Sequence, residues 1–292
     1  MGTSAPAGAA APTVLVIGAA GKTGRAVTAA LARRGVAVRA AVRSPARAET
    51  AYAAGAASIS VCDLESGAGL DEALTDATAV YHLAPNVHPD EVAIARRVVA
   101  AAARAGVQRF AFHSVLHPHD GSMPHHVRKG LAEEVVRSAF PRATVLRPAA
   151  YHQNLVAAAR SGRIAVPHSL DTPFTNVDLD DVAEVAAEVL TEAGHEARTY
   201  ELAGPEVLTV REQAVTAARV LGHPVTAEQL TLEAWAAGPG SSLPEQARAD
   251  LLAMFTAYDR EGLVGDPTTL TTLLGRRPTT WGQALVAESA TT

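Results

Sequence analysis

The stretch that decides the fold is "VIGAAGKTGRAV", residues 16–27. It overlaps the end of a short β-branched run, Thr13–Gly18, which is typical of a buried strand, and it opens a segment with helical periodicity that ends at Gly35. Three glycines give it the spacing G-x-x-G-x-x-G, a variant of the dinucleotide fingerprint: Gly18, Gly21 and Gly24. Small residues between a strand and a helix let a pyrophosphate approach the free N–H groups of the helix. The stretch therefore predicts a nucleotide-binding strand–loop–helix unit.

Short apolar runs alternate with helical segments after this unit. Further strands are predicted at Val36–Arg43, Ser58–Leu64, Ala79–Pro85, Arg109–Val115 and Ala143–Pro148. The segment Asp90–Gly106 is a long predicted helix that closes on a glycine. This alternation predicts an α/β fold of the Rossmann type, a doubly wound parallel sheet with helices on both faces.

The regular alternation of predicted strands and helices ends at Pro148. A capped helix from "DLDDVAEVAAEVLTEAG" and a strand from "RTYELAG" are predicted to return to the sheet, and mostly helices follow from Thr209. Asp178, Asp180 and Asp181 fit the N-cap and first turn of that helix better than a metal site. We predict a disordered tail over residues 1–12 and a cofactor-binding domain over 13–150, to which 175–203 return. A smaller, mostly helical substrate lobe is predicted over 151–174 and 204–292.

The composition excludes several classes of function. A net charge of −5 argues against a nucleic-acid-binding surface, and no apolar run reaches the roughly 20 residues that a membrane span needs. The single cysteine, Cys62, suits a reducing compartment and is expected to be a buried structural thiol. We expect a cytoplasmic protein with a small-molecule substrate, present as a monomer or homodimer.

The end of the second strand indicates which dinucleotide is bound. NAD-binding proteins usually place an acidic residue there, whereas this chain has Arg43, Ser44 and Arg47, with Lys22 in the glycine loop. Guanidinium groups suit a 2′-phosphate. Solvated charges at a helix start are the alternative interpretation. The pattern favours NADP(H) over NAD(H).

Five of the eleven histidines lie in "HSVLHPHDGSMPHH", residues 113–126. A metal site, an acid–base site and a polar loop remain open as interpretations, although no carboxylate or cysteine completes a known metal-ligand spacing. If a helix begins near Pro124, His125 lies one turn before Lys129 on the same face. His125 is then a candidate acid–base group whose pKa the lysine ammonium would lower, and Ser114 is a candidate hydrogen-bond donor to a substrate carbonyl.

The order and spacing of several motifs resemble the NmrA-like group of atypical short-chain dehydrogenases/reductases. The resemblance runs along nearly the whole chain and includes "VIGAAGKTG", "RKGLAEEVVRS", "TVLRPAAYHQN" and "FTNVDLDDVAEVAAEVL". It implies a Rossmann domain that binds NADP(H) beneath a small lobe. Orthodox relatives keep Tyr-x-x-x-Lys where this chain has His125 and Lys129, which puts the standard proton transfer in doubt.

The resemblance also implies roles for particular residues. The diphosphate would be lined by Gly18, Gly21, Lys22, Thr23 and Gly24. Arg43 would meet the 2′-phosphate, and Asp63 and Leu64 would border the adenine. Leu83, Ala84 and Pro85 would pass beneath the ribose, and Lys129 would hydrogen-bond the nicotinamide ribose. The nicotinamide would be bordered by Pro148, Ala149, Ala150 and Tyr151.

These expectations lead to one function and two alternatives. We expect an NADP(H)-dependent reductase that transfers a hydride to a small or medium organic carbonyl, imine or activated alkene, with the cofactor supplying the chemistry. One alternative is a dinucleotide-binding redox sensor without catalysis. The other is an epimerase or isomerase that retains its cofactor. The catalytic candidates are Lys129, His125 and Ser114, and no metal is expected.

Overall fold

The computed structural model describes residues 13–287; the predicted tail, residues 1–12, lies outside this range. A seven-stranded parallel sheet runs in the order β3-β2-β1-β4-β5-β6-β8. Its strands are β1 Thr13–Ile17, β2 Ala37–Val42, β3 Ser58–Val61, β4 Ala77–His82, β5 Arg109–His113, β6 Thr144–Pro148 and β8 Thr199–Leu202. All six strands predicted from apolar runs are present, and the strand in "RTYELAG" pairs in parallel with β6 as predicted. The α/β doubly wound fold is confirmed.

Helices cover both faces of this sheet, which is why its central strands β1 and β4 are almost entirely buried. The helices are α1 Lys22–Arg33, α2 Ala48–Ala53, α3 Leu70–Leu74, α4 Glu91–Arg104, α5 Pro124–Ala139, α6 Val156–Arg160, α7 Leu179–Thr191, α8 Val210–Leu221, α9 Leu232–Ala237, α10 Glu245–Glu261, α11 Thr268–Leu274 and α12 Trp281–Ala287. One core lies between the sheet and α1 with α7, and a second between the sheet and α3, α4 and α5. Within residues 13–287 no helix is both long and apolar enough to cross a membrane.

Local signals explain where two of these helices begin. Helix α5 starts at Pro124, as its N1 preference predicts, since proline lacks the N–H that would be unpaired there. The Asp178 carboxylate accepts a hydrogen bond from the Asp180 N–H at 2.9 Å and caps α7, with Asp180 and Asp181 in the first turn. These aspartates are therefore helix-capping residues, as predicted.

The later chain builds a smaller lobe with its own core. Val156, Ile164, Val210, Trp281 and Leu285 belong to this third apolar cluster. The lobe also holds a parallel pair of strands, β7 Arg163–Val166 and β9 Thr226–Gln229, which the sequence did not predict. Strand β9 is polar and mostly exposed, so it carries no hydrophobic alternation that could have marked it.

Not all of the late chain stays in the lobe. Helix α11 packs against α7 and β8 of the large sheet, and α10 packs against α5. The boundary that assigns residues 204–292 to one lobe remains a prediction.

Candidate active site

One cavity of about 1010 Å³ opens at the carboxyl ends of the central strands. It lies where the strand order reverses between β1 and β4, the place where open α/β sheets bind their ligands. It continues between the sheet edge and residues of the later chain. We call the part lined by the loops after β1, β2, β4 and β6 the cofactor half, and the part lined by residues of the later chain the acceptor half, after the roles expected from the sequence.

The glycine loop has the backbone geometry that its spacing predicts. Gly18 has φ +76°, and the Gly21 N–H donates to the Gly18 carbonyl at 3.0 Å, which closes a tight turn. A Cβ on Gly24 would lie 2.1 Å from the Gly18 carbonyl oxygen, so only glycine lets α1 approach this closely. Gly24 itself is not among the residues that line the cavity, and its contact with the diphosphate stays a prediction. The first turn of α1 carries no acidic residue, so its N-terminus fits a diphosphate.

Lys22 and Thr23 link this loop to the segment after β6. The Lys22 Nζ donates to the Asn154 Oδ1 at 2.6 Å and lies 5.6 Å from the centre of the Tyr151 ring. Both residues line the cavity, as predicted from the resemblance. The loop and the segment of Tyr151 and Asn154 are therefore in contact where both line the cavity.

Two exposed arginines, Arg43 and Arg47, line the end of the cavity beyond β2. Asp63 lies nearby, after β3, where hydrogen bonds from Ser66 and Glu65, with the charge of Arg43, hold the pKa of its carboxyl below its usual range. The Asp63 carboxylate therefore faces its own turn. Leu64 completes this end of the cavity, where an adenosine 2′-phosphate would be held by guanidinium groups.

The remaining residues predicted for the cofactor follow β4 and β6. All of them line the cavity: Leu83, Ala84, Pro85, Pro148, Ala149, Ala150 and Tyr151. A Cβ on Gly18 would lie 3.1 Å from the Leu83 carbonyl oxygen, so the loops after β1 and β4 are in close contact. The residues present fit a dinucleotide laid across the sheet edge. That they bind it remains a proposal.

Lys129 is buried, with its Nζ 2.6 Å from the Glu91 Oε1 and 3.2 Å from the His113 carbonyl oxygen that accepts its hydrogen bond. Glu91 is fully buried at the start of α4 and was not predicted, since in the sequence it is only a first-turn acid. His82, at the end of β4, is also fully buried, and its two ring nitrogens have no hydrogen-bond partner among the described residues. We call His82, Glu91, His113 and Lys129 the buried floor.

His125 lines the cavity one turn before Lys129, as predicted, and it is buried. Burial first, and then the charge of Lys129, lowers the pKa of His125 to about 3. The direction agrees with the sequence analysis. At neutral pH the imidazole is neutral, so it can donate a hydrogen bond but holds almost no proton to transfer.

The other histidines of the loop divide by exposure. His117 and His119 are exposed and lie off the cavity, whereas burial lowers the pKa of His126 to about 4. Within residues 13–287 no three histidine, cysteine, aspartate or glutamate side chains are grouped so as to hold a metal ion. Cys62 is buried, which raises the pKa of its thiol to about 11, as expected of a structural cysteine.

Ser114 is fully buried at the end of β5, and its hydroxyl donates to the Glu133 Oε1 at 2.5 Å. Glu133 in turn pairs with Arg147, whose guanidinium lies 2.7 Å from the Glu133 Oε2. The hydroxyl proton of Ser114 is therefore committed to Glu133. A hydrogen bond from Ser114 to a substrate carbonyl would require this contact to break.

His113 joins two tyrosines. Its Nδ1 contacts the hydroxyl of Tyr81 on β4, and its Nε2 lies 2.8 Å from the hydroxyl of Tyr151. Burial and the charge of Lys129 lower the pKa of His113 to about 3, so its ring is neutral. This three-residue chain was not predicted, because its members lie on three separate segments of the sequence.

The acceptor half of the cavity is apolar and aromatic. Met254, Phe255 and Tyr258, all on α10, line it. Trp235 does not line the cavity, but its ring centre lies 4.8 Å from that of Phe255. Other lining residues had no sequence signal: Val166, His168, Phe174, Asn176, Val210, Gln213, Leu251 and Leu263.

Comparison with known proteins agrees with this geometry. The model of the NmrA-like family matches residues 10–281. A (4-alkanoyl-5-oxo-2,5-dihydrofuran-3-yl)methyl phosphate reductase of Streptomyces griseus is 36% identical over 229 residues, which cover 76% of this chain and 78% of that protein.

Two further comparisons extend over almost the whole chain. Quinone oxidoreductase 2 of Escherichia coli is 29% identical over 287 residues, covering 93% of this chain and 97% of that protein. The crystal structure of an NADPH-dependent quinone oxidoreductase of Escherichia coli, complexed with NADPH, superposes with a TM-score of 0.81 at 26% identity and covers 94% of this chain and 99% of that chain.

Proposed function

From the premise that this chain belongs to the NmrA-like family and is an NAD(P)H-dependent oxidoreductase, we propose that it prefers NADPH and reduces an uncharged carbonyl compound or activated alkene. Among the carbonyls, imines and alkenes that the sequence allows, quinones and enones fit the cavity best. The observation that carries the proposal is the apolar, aromatic wall of the acceptor half.

The distribution of charge along the cavity supports an uncharged acceptor. Among the described lining residues the lysines and arginines are Lys22, Arg43, Arg47 and Lys129, all in the cofactor half. Phosphate recognition in proteins normally uses lysine, arginine or a helix N-terminus. The name of the Streptomyces griseus relative specifies a phosphate ester, for which the acceptor half of this chain offers no cation. We therefore propose that this chain reduces an unphosphorylated quinone or enone rather than a phosphate ester.

Polar groups in the acceptor half suit a carbonyl oxygen. Asn176 and Gln213 are buried amides that line it, and the neutral imidazole of His125 lies between it and the buried floor. Amides and neutral imidazoles donate hydrogen bonds without adding charge. A planar acceptor would pack against Phe255 and Phe174, while one of these donors orients its oxygen.

The residues of the cofactor half would hold NADPH, which supplies a hydride when bound. Arg43 and Arg47 would meet the 2′-phosphate, and the N–H groups at the start of α1 would meet the diphosphate. Lys129, held by Glu91, would donate to the nicotinamide ribose. The lobe residues would exclude water from the acceptor.

The proposal is tested by following NADPH absorbance while matched acceptors are added. We expect a quinone and an unphosphorylated enone to be reduced, and the phosphate ester of the same enone to react at least tenfold more slowly. Phe255→Ala should raise KM for the quinone several-fold and leave the dissociation constant of NADPH unchanged, since Phe255 lies outside the cofactor half. Tyr52→Ala, at an exposed aromatic residue on α2, is the control.

Three outcomes would contradict parts of the proposal. A phosphorylated enone that reacts faster would overturn the uncharged acceptor. Equal affinities for NADH and NADPH would overturn the cofactor preference. Tight NADPH binding with no reduction of any acceptor would favour the dinucleotide sensor, which the replacement of the family tyrosine by His125 supports.

A further inference from the structure

The chain of Tyr81, His113 and Tyr151 leads from the protein core to the cavity. Tyr81 is fully buried, and its hydroxyl contacts the Nδ1 of His113. The His113 Nε2 lies 2.8 Å from the hydroxyl of Tyr151, and Tyr151 lines the cavity. A neutral imidazole has one N–H donor and one acceptor nitrogen, so the position of its single proton decides the direction of both contacts.

Tyr81, at the buried end of this hydrogen-bonded series, determines which ring nitrogen of His113 carries the proton. If the Tyr81 hydroxyl donates to Nδ1, both groups are satisfied, and the proton of His113 lies on Nε2. In the opposite arrangement the Tyr81 hydroxyl hydrogen would need another acceptor, and within residues 13–287 the only hydrogen-bond partner of this hydroxyl is His113. An unsatisfied buried donor is costly, so Tyr81 selects the tautomer with the proton on Nε2.

The tautomer determines what Tyr151 presents to the cavity. Its oxygen accepts from the Nε2–H of His113, so its own hydrogen is directed away from His113. Burial raises the pKa of Tyr151 above its usual range, while a hydrogen bond from Thr23 opposes this shift, so the phenol keeps its proton at neutral pH. The Lys22 Nζ lies 5.6 Å from the ring centre, and with the two donors it would stabilise a phenolate.

We propose that Tyr151 is the proton donor of the reduction, in place of the tyrosine that His125 replaces, and that His113 and Tyr81 are positioning residues. The inference rests on the proposed function. As the acceptor takes up a hydride, with its two electrons, at carbon, the π electrons of its C=O or conjugated C=C move to oxygen. The O–H bond of Tyr151 breaks and a new O–H bond forms on the acceptor. Water reprotonates the phenolate after the product leaves.

The tautomer is tested without cofactor or substrate, by ¹⁵N NMR of histidine-labelled protein. His113 is assigned by the signals that vanish in His113→Gln, and we expect its Nε2 to carry the proton. Tyr81→Phe should give a mixture of both tautomers, because the hydroxyl that selects one of them is gone. Tyr200→Phe is the matched control, since Tyr200 forms a separate contact with His195 at 3.0 Å and does not line the cavity.

The donor role is tested with the quinone and the enone. Tyr151→Phe should lower turnover by about 10²–10⁴, the size of a general acid contribution, and should abolish the solvent isotope effect while NADPH affinity stays within about twofold. Tyr81→Phe should lower turnover several-fold, and Tyr200→Phe should not change it. A proton on Nδ1 of His113, or wild-type turnover in Tyr151→Phe, overturns the proposal. A wild-type protein that reduces neither acceptor overturns the proposed function instead. In that case the NMR result still decides whether the Tyr151 oxygen accepts a hydrogen bond from the Nε2–H of His113.

Discussion

The glycine-loop end of the cavity and the buried floor differ in the groups that form them and in the exposure of those groups to solvent. The glycine loop is backbone, and the cations beyond it, Arg43 and Arg47, are exposed to solvent. The buried floor consists of four ionisable side chains, each at most 5% exposed. The first region combines backbone groups with guanidinium groups that stay in water, whereas the second removes titratable groups from water.

Because of this difference, the two regions depend on different physical properties. At the glycine-loop end, the proposed binding of the cofactor would depend on the absence of side chains and on charges that keep their hydration. In the buried floor, burial lowers the pKa of His82 and His113 and keeps both imidazoles neutral, at a cost to the stability of the folded chain at acid pH. We expect changes in pH and charge to act on the buried floor, and changes in shape to act on the glycine loop.

The largest expected effect is acid destabilisation through the buried histidines. Burial and the charge of Lys129 lower the pKa of His82, His113 and His125 from 6.5 to about 3. Between these values the unfolded chain binds protons that the folded chain excludes, so stability is complete above pH 6.5 and is lost as the pH falls. Each histidine should contribute roughly 2 kcal/mol of this loss between pH 7 and pH 5.

Urea unfolding at both pH values measures this loss. His82→Phe should reduce it by roughly 2 kcal/mol, since neither ring nitrogen of His82 has a hydrogen-bond partner to lose. His117→Gln, at an exposed histidine, is the control. The same pH dependence in His82→Phe and the wild type would contradict the assignment.

The next effect concerns the ion pair of the buried floor. Glu91→Gln leaves the Lys129 ammonium buried without its carboxylate, so the free energy of unfolding should fall by about 3–5 kcal/mol. Replacing both partners, as Glu91→Leu with Lys129→Met, should recover much of that loss. Asp171→Asn, which breaks the exposed pair with Arg211, should cost less than about 1 kcal/mol. Denaturant unfolding decides between these values, and equal losses in both pairs would refute the contrast.

A change of shape should act on the other region. Gly21→Val adds a branched side chain where the diphosphate would lie, so NADPH affinity should fall at least about 100-fold, or roughly 2.7 kcal/mol. The melting temperature should fall only slightly, because the φ of Gly21 is −79° and a Cβ there, 3.3 Å from the Gly18 oxygen, requires a shift of only a few tenths of an ångström. Gly121→Val, where a Cβ meets nothing within 4 Å, is the control. Fluorescence titration of Gly21→Val that gives normal affinity would show that the loop is only a turn.

Arg43→Ala should act on cofactor preference alone. Loss of a charge-assisted contact to the 2′-phosphate should weaken NADPH binding about ten- to hundredfold, from a contribution of about 1.5–3 kcal/mol, and leave NADH binding unchanged. Arg96→Ala, on the exposed surface of α4, is the control. An unchanged ratio of the two dissociation constants would remove Arg43 from the site.

The smallest effect is expected at His125. Its neutral ring can donate a hydrogen bond worth about 0.5–1.5 kcal/mol, so His125→Ala should lower turnover of a quinone about two- to tenfold. His119→Ala, at an exposed histidine, should have no effect. A loss of about 10² or more would instead mean that His125 transfers a proton, which its pKa of about 3 opposes.

The parts of the site that the sequence predicted are those built from short contiguous segments. Gly18, Gly21 and Lys22 share one loop, and Leu83–Pro85 and Pro148–Tyr151 each follow a strand directly. Parallel strands bring their carboxyl ends to one edge of the sheet, so a correct prediction of the strands also identifies the residues at that edge. Gly24 is a glycine that the close approach of α1 to the Gly18 carbonyl requires, so its presence in the motif has a packing reason besides the predicted contact with the diphosphate.

The parts that were missed depend on contacts between distant segments. Lys129 and Glu91 lie on different helices, and the hydrogen bonds of His113 reach Tyr81 and Tyr151 on two other segments. No local pattern distinguishes a buried first-turn glutamate from an exposed one. Burial depends on the packing of α4 against α5, which is a property of the folded chain.

The sequence by itself determined the alternating α/β order, the glycine turn between β1 and α1, and the guanidinium groups that follow β2, because each depends on residues within one turn or one strand. Tertiary structure decided which histidines are neutral, which carboxylate holds Lys129 and which tyrosine hydroxyl meets His113 at the edge of the cavity. Those properties follow from desolvation and from single hydrogen bonds between groups that meet only when the helices pack on the sheet.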